Sequence, residues 1–151
     1  MKLIKKQIDG QFEVEVEIRY ARMDSEVAKL IKCIEKTKSY IYGTDNGLQQ
    51  KILTCDIFYV ESVDKKTFIY TDGSVFRSEL QIYKLIEILN ADDFVQISKS
   101  CLINMDVLES IKTLPNSRLE ATLINGEKLN VSRKYLTKIK MAFTSKDDDL
   151  V

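Results

Sequence analysis

"FVQISKSCLINMDVLESI", residues 94–111, is the stretch on which the fold turns. Both of its ends alternate apolar residues as β-strands do, and Ser98-Lys99-Ser100-Cys101 lies between them. Two hydroxyls, an ammonium and a thiol in a row admit three readings. They form a catalytic cluster, a strand end that grips a ligand, or an ordinary turn.

Composition separates these readings. The chain of 151 residues is long enough for one ordinary domain, or a compact domain with a short extension. It is 44% hydrophobic with one proline and five glycines, which is the balance of a folded globular chain. No apolar run approaches the roughly 20 residues of a membrane span. The start, "MKLIKKQIDG", is too short and too charged for a signal peptide. A cytoplasmic location is therefore expected, with Cys33, Cys55 and Cys101 reduced. Their spacing suits no metal, and core or strand filling is their expected role.

Histidine is absent. Ser-His-Asp and Cys-His nucleophiles, and most transition-metal sites, need an imidazole and cannot be assembled here. A Ser–Lys arrangement at Ser98/Lys99 or Ser132/Lys134 survives, although such neighbours arise readily by chance. No catalytic residue, metal site or cofactor is assigned, and the chain is not read as an enzyme. "FVQI" and "CLIN" then read as strands anchoring a short exposed tip, Ser98-Lys99-Ser100.

The charge balance is 23 basic against 23 acidic residues, net zero. Its distribution says more. Residues 128–146 hold six basic side chains and no acidic one, and "DDD" at 147–149 ends the run. The basic charge is local, as a nucleic-acid contact surface requires.

Along the chain, residues 11–20 alternate strictly. Phe12, Val14, Val16, Ile18 and Tyr20 share one face; Glu13, Glu15, Glu17 and Arg19 share the other, predicting a half-buried strand. An amphipathic helix follows, capped by Asp24 or Ser25, with Val27, Leu30, Ile31 and Ile34 as its stripe. This strand–helix unit is too small for its own core. It either pairs across a twofold axis or covers the sheet of the domain that follows. From Ser39 strands dominate. Asp72-Gly73 predicts a two-residue hairpin with Ile69 opposite Phe76 and Tyr70 opposite Val75. Around Asn125-Gly126 a two-residue loop would mix faces. A three-residue loop, 124–126, sets Ala121 opposite Leu129 and Leu119 opposite Val131. A second helix is expected after a Ser78/Gln81 capping box, with Ile82, Leu85, Ile86 and Leu89 inward. The last runs from Arg133 to Phe143, capped by Ser132, with Leu136, Ile139 and Phe143 inward. Arg133 and Lys134 in its first turn oppose the helix dipole at about 0.3–1 kcal/mol each, a cost that a bound phosphate would offset.

Three blocks in order carry a resemblance. "LTCDIFYVESVDKKTFIYTDG", "DDFVQISKSCLINMDVLESI" and "NGEKLNVSRKY" resemble, over roughly residues 39–143, the LytTR (LytR/AlgR-type) DNA-binding domain of bacterial transcription regulators. The resemblance implies a mainly β fold with α elements (α+β). Small stacked antiparallel sheets and two short helices would follow an N-terminal strand–helix extension. It divides the chain into 1–38, a dimerisation or regulatory segment, 39–144, the DNA-binding domain, and 145–151, an acidic tail. It implies a stand-alone regulator without a receiver domain, reading repeated half-sites of double-stranded DNA through loops in the major groove. Base contacts carried over are Lys65, Lys66, Thr67, Ser98, Lys99 and Arg133. Phosphate contacts are Ser100, Ser132, Lys134 and Tyr135. A homodimer on DNA is implied, with control by a regulatory protein, in some relatives a membrane protein. Many members carry a histidine where Ser98 stands, and some near Thr67, so the target sequence does not transfer. The alternative is a β-rich interaction module that keeps the fold without binding DNA.

Overall fold

A computed structural model, described over residues 1–89 and 93–148, begins its β structure at Tyr40. Tyr40–Asp45 (β1) and Leu48–Leu53 (β2) form a hairpin across Asn46-Gly47, both residues at positive φ. Ile57–Val63 (β3), Lys66–Thr71 (β4) and Val75–Ser78 (β5) continue as a meander. Across Asp72-Gly73, Ile69 faces Phe76 and Tyr70 faces Val75, the register expected from a two-residue loop. Phe94–Ser98 (β6) and Cys101–Asn104 (β7) complete a seven-stranded antiparallel sheet in the order β2-β1-β5-β4-β3-β7-β6. Leu108–Leu114 (β8), Arg118–Leu123 (β9) and Lys128–Val131 (β10) make a second sheet in the order β10-β9-β8. Ala121 faces Leu129 and Leu119 faces Val131, and Gly126 takes φ 88 in the three-residue loop. The antiparallel two-sheet architecture with few helices is the fold class expected.

The larger sheet is covered on both faces around β3 and β7, which explains why every residue of β7 is buried. On one face Ile41, Ile52, Val60, Ile69 and Leu102 meet Leu85 and Leu89 of Ile82–Leu89 (α2). On the other, Phe58, Ile97 and Ile103 meet Leu119, Ala121 and Leu123 of the small sheet and Ile139 of Leu136–Asp148 (α3). Burial of a side chain such as Leu85 or Ile139 stabilises by roughly 1.5–3 kcal/mol. Leu136 and Phe143 pack on that second core, half-buried.

Several expectations are corrected. Residues 11–20 form no strand: Phe12 is 100% exposed and Val14 93%. Their alternation is intact, but the chain offers that segment no neighbouring strand, and alternation without a hydrogen-bonding partner makes no sheet. The following helix does form, at Ser25–Lys36 (α1), with the Asp24 carboxylate accepting from the Val27 N–H at 2.9 Å. The Ser78/Gln81 box is not made. Ser78 pairs with Thr67 as the last residue of β5, its Oγ accepts from Leu80 N–H, and the Gln81 carbonyl starts α2. Ser132 makes no side-chain cap, because a 3-10 turn at Arg133–Tyr135 precedes α3. Arg133 and Lys134 therefore lie in that turn, not in the first turn of an α-helix. Cys33 and Cys55 are exposed, and only Cys101 is a core residue. Of the expected acidic tail, α3 runs on through Asp148, and residues 149–151 lie outside the described residues.

Candidate nucleic-acid interface

Three turns meet at one end of the large sheet. The β3–β4 hairpin turns on Asp64-Lys65, with φ 50 and 64, so Val63 faces Lys66. The β6–β7 hairpin turns on Lys99-Ser100, with Ser98 facing Cys101. The third is the segment leaving β10, Ser132-Arg133-Lys134. Two backbone hydrogen bonds tie them in a row. Ser62 N–H donates to the Ser100 carbonyl at 2.8 Å, and Ser132 N–H to the Ile97 carbonyl at 2.9 Å. Residues separated by some 70 positions in sequence thus share one rim.

On this rim Lys65, Lys66, Lys99, Ser132, Arg133 and Lys134 are exposed, whereas Ser98, Ser100 and Tyr135 are half-buried. Among the described residues none of the five cations makes a salt bridge. Arg133 Nη2 donates to the Asn116 carbonyl at 3.2 Å. Unpaired cations on adjacent rigid turns are suited to phosphate and guanine acceptors. Ser98 and Ser100 shape the tip. Ser98 Oγ accepts from Ser100 N–H at 3.2 Å and lies 3.4 Å from Ser100 Oγ. Tyr135 rests its ring on the core. Thr67 departs from expectation, because the two-residue turn ends before Lys66 and the pleat then carries Thr67 inward, 4% exposed. It cannot touch a base.

One contributor was not foreseen. The turn between β8 and β9, residues 115–117, holds Asn116 and Ser117 at φ 65 and 57 and presents the carbonyl that Arg133 uses. Its signal is Pro115-Asn116-Ser117, a turn-forming run.

The nucleophile readings lose their geometry here. Lys99 makes no hydrogen bond to Ser98 or Ser100, nor Lys134 to Ser132, so no Ser–Lys pair is assembled. Among the described residues no cluster of three or more His, Cys, Asp or Glu side chains is arranged for a metal. Cys101, beside the rim, is 5% exposed. Burial, with Glu61 nearby, pushes its thiol up to about 12. A thiol protonated at neutral pH is a poor nucleophile. At pH 8, iodoacetamide followed by mass spectrometry is expected to modify Cys33 first and leave Cys101 intact in the folded protein. Equal rates at the two would contradict the burial.

Comparison with known proteins bears on the family and the fold. The family model described as the LytTr DNA-binding domain matches residues 49–144. A sensory transduction protein LytT of Enterococcus faecalis is 27% identical over 85 residues, 56% of this chain and 35% of that protein. An uncharacterized HTH-type transcriptional regulator of Staphylococcus aureus is 24% identical over 134 residues, 87% of this chain and 90% of its own length. The Bacillus anthracis LytT is 26% identical over 140 residues, 93% of this chain and 52% of that protein. The chain thus spans about a third of the Enterococcus relative and about half of the Bacillus one. A solved LytTr DNA-binding domain from Bacillus cereus superposes with TM-score 0.65 at 19% identity, over 69% of this chain and 95% of that one, a likeness of fold.

Proposed function

The chain belongs to the LytTr DNA-binding domain family, and on that premise we propose that it is a sequence-specific transcription regulator reading repeated half-sites of double-stranded DNA as a homodimer. Membership places it among DNA-binding regulators and apart from enzymes. Residues 39–144 carry the DNA contacts and residues 1–38 the association of two copies. No described helix is long and apolar enough to cross a membrane.

The observation that carries this reading is the row of three turns tied by the Ser62–Ser100 and Ile97–Ser132 hydrogen bonds. Lys99 and Arg133 read guanine O6 and N7 in the major groove. Lys65, Lys66 and Ser98 reach base edges beside them, and Ser100, Ser132, Lys134 and Tyr135 hold phosphates. Net neutrality keeps non-specific binding weak and strongly dependent on salt, so two domains acting together supply the affinity.

Dimethyl sulfate protection on a retained genomic fragment tests the reading, because guanine N7 faces the major groove. Two patches of N7 protection on one face of the duplex are expected. Absence of any selective fragment would sink the DNA reading and favour a protein-interaction module built on the same fold. Protection confined to adenine N3 would sink the major-groove geometry alone.

Lys65 adds a second test. A left-handed conformation costs a non-glycine residue about 1–2 kcal/mol, and Lys65 holds φ 64. Lys65→Gly is expected to stabilise the fold by roughly 0.5–1 kcal/mol after the added chain entropy of glycine. Melting should rise by about 1–4 °C. Binding should weaken several-fold, with specificity relaxed at one position. A lower melting temperature with unchanged binding would contradict both halves.

A further inference from the structure

The helix α1 is fastened to the base of a hairpin whose tip lies on the candidate interface. Within the single chain Val27 is buried and Leu30, Ile31 and Ile34 are half-buried, so α1 rests on its own chain. Lys32 and Lys36 reach the Asp93 carboxylate at 3.0 and 2.8 Å, and Lys36 also reaches Asp106. Asp93 immediately precedes β6, and Asp106 follows β7 by two residues. Lys36 thus bridges both legs of the hairpin that turns on Lys99-Ser100. Its side chain is only 14% exposed. Burial works against its charge, yet hydrogen bonds with Asp106 and Asp93 hold its pKa above the ordinary lysine value. Against the same burial effect, Lys36 and Lys32 hold Asp93 below the ordinary carboxylate value.

The clamped strand is the one that needs support. β6 is the edge of the seven-stranded sheet, paired only to β7, with an irregular register between Gln96 and Ser98. Its entry residue, Asp93, holds φ 63, a left-handed conformation unfavourable for a residue with a Cβ. The Asp93 carbonyl accepts from Met105 N–H at 3.0 Å, which ties the two legs at the same place. At its other end β6 serves both base-reading cations. Ser98 leads into Lys99, and the Ile97 carbonyl accepts from Ser132 N–H, next to Arg133.

We propose that Lys36, aided by Lys32, is a positioning residue for DNA recognition: it clamps Asp93 and Asp106 at the base of the β6–β7 hairpin and thereby fixes Lys99 relative to Arg133. The inference deepens the DNA reading above and rests on it. The clamp stands at one end of β6 and Lys99 beyond the other, a strand of about 15 Å away. That exceeds the roughly 8 Å over which an exposed charge acts at physiological salt. The influence of Lys36 is therefore carried by the placement of β6, and it shows as coupling between Lys36 and Lys99.

A double-mutant cycle on the full chain, read by fluorescence anisotropy on a selected DNA fragment at constant salt, tests this. Lys36→Met keeps the stem and removes the charge, and it is expected to weaken binding about 3–10-fold. Lys36→Arg can still bridge two carboxylates and should bind within about twofold of the wild type. Lys38→Met makes the same charge change at an exposed neighbour and should also stay within about twofold. Lys99→Ala is expected to cost at least about threefold less in the Lys36→Met background than in the wild type. Amide hydrogen exchange without DNA gives a second reading. Ser132 N–H should exchange about tenfold faster in Lys36→Met, with the β1 and β2 amides unchanged. Additive losses from Lys36→Met and Lys99→Ala, or an equal loss in Lys38→Met, would overturn the positioning role and leave the DNA reading standing. Unchanged exchange at Ser132 would overturn it too. A wild-type protein that binds no selected fragment overturns the DNA reading, and the positioning role with it.

Discussion

Replacing Lys99 and Arg133 together by alanine is expected to weaken binding to a selected DNA fragment by about 2–4 kcal/mol, on the order of 10²–10³-fold, at constant salt. The two side chains stand on neighbouring turns joined through Ile97 and Ser132, which would bring both to the same stretch of groove. A cation that meets guanine O6 and N7 discriminates by about 1–3 kcal/mol against the wrong base. The losses should therefore appear as relaxed specificity at defined positions. Lys134→Ala behaves differently if it meets a phosphate: uniform weakening on all sequences and a salt slope reduced by about 1. Fluorescence anisotropy across a salt series separates the two patterns. Melting should hardly change, because both side chains are exposed and in no salt bridge. A double variant that binds like the wild type would remove these residues from the interface.

The second large effect concerns the core. Asn104, at the end of β7, is 2% exposed. Its Nδ2 donates to the Ile57 carbonyl at 2.9 Å, and its Oδ1 accepts from Asp106 N–H at 2.9 Å. One side chain thus fastens the start of β3 to the turn that leads into the second sheet. Asn104→Leu keeps the volume but removes this donor from the buried Ile57 carbonyl and this acceptor from the Asp106 N–H. The expected loss is about 2–4 kcal/mol, a fall in melting temperature of roughly 5–15 °C. Asn104→Asp should be worse at pH 7, where a buried carboxylate faces a carbonyl oxygen. Its folded-state pKa would be raised, so stability should return as pH falls through that value and the protonated carboxyl can donate. Chemical denaturation at pH 7 and pH 5 checks the sign. A variant no less stable than the wild type would show that this hydrogen-bonded link is not needed.

What the sequence made legible follows the range of the forces involved. Hairpin registers are local: Asp72-Gly73 and Asn125-Gly126 fix which residues face each other through turn geometry alone, and the observed pairs agree. Helix stripes are local too, so Leu85, Leu89 and Ile139 are buried as their spacing requires. The strand at 11–20 was misread because alternation reports a face but not a partner. Thr67 lies within β4 and not in the loop, since Asp64-Lys65 makes a two-residue turn without the glycine that usually marks one. Ser78 and Ser132 resemble helix caps in sequence, yet sheet pairing claims the first and a 3-10 turn precedes the helix after the second. The Arg133–Asn116 contact spans 17 positions, beyond what local pattern carries. The candidate interface itself was legible as three separate segments. Their alignment in one row depends on long-range strand order.

Selection of bound sequences from a random double-stranded DNA pool tests the central claim most directly. The wild-type protein is expected to enrich two similar half-sites with centres about 10 base pairs or a multiple apart, so that both lie on one face. The Lys99→Ala/Arg133→Ala variant should lose that motif. A pool that remains unenriched after repeated rounds with the wild-type protein would contradict the account, as would the same motif recovered equally well by the variant.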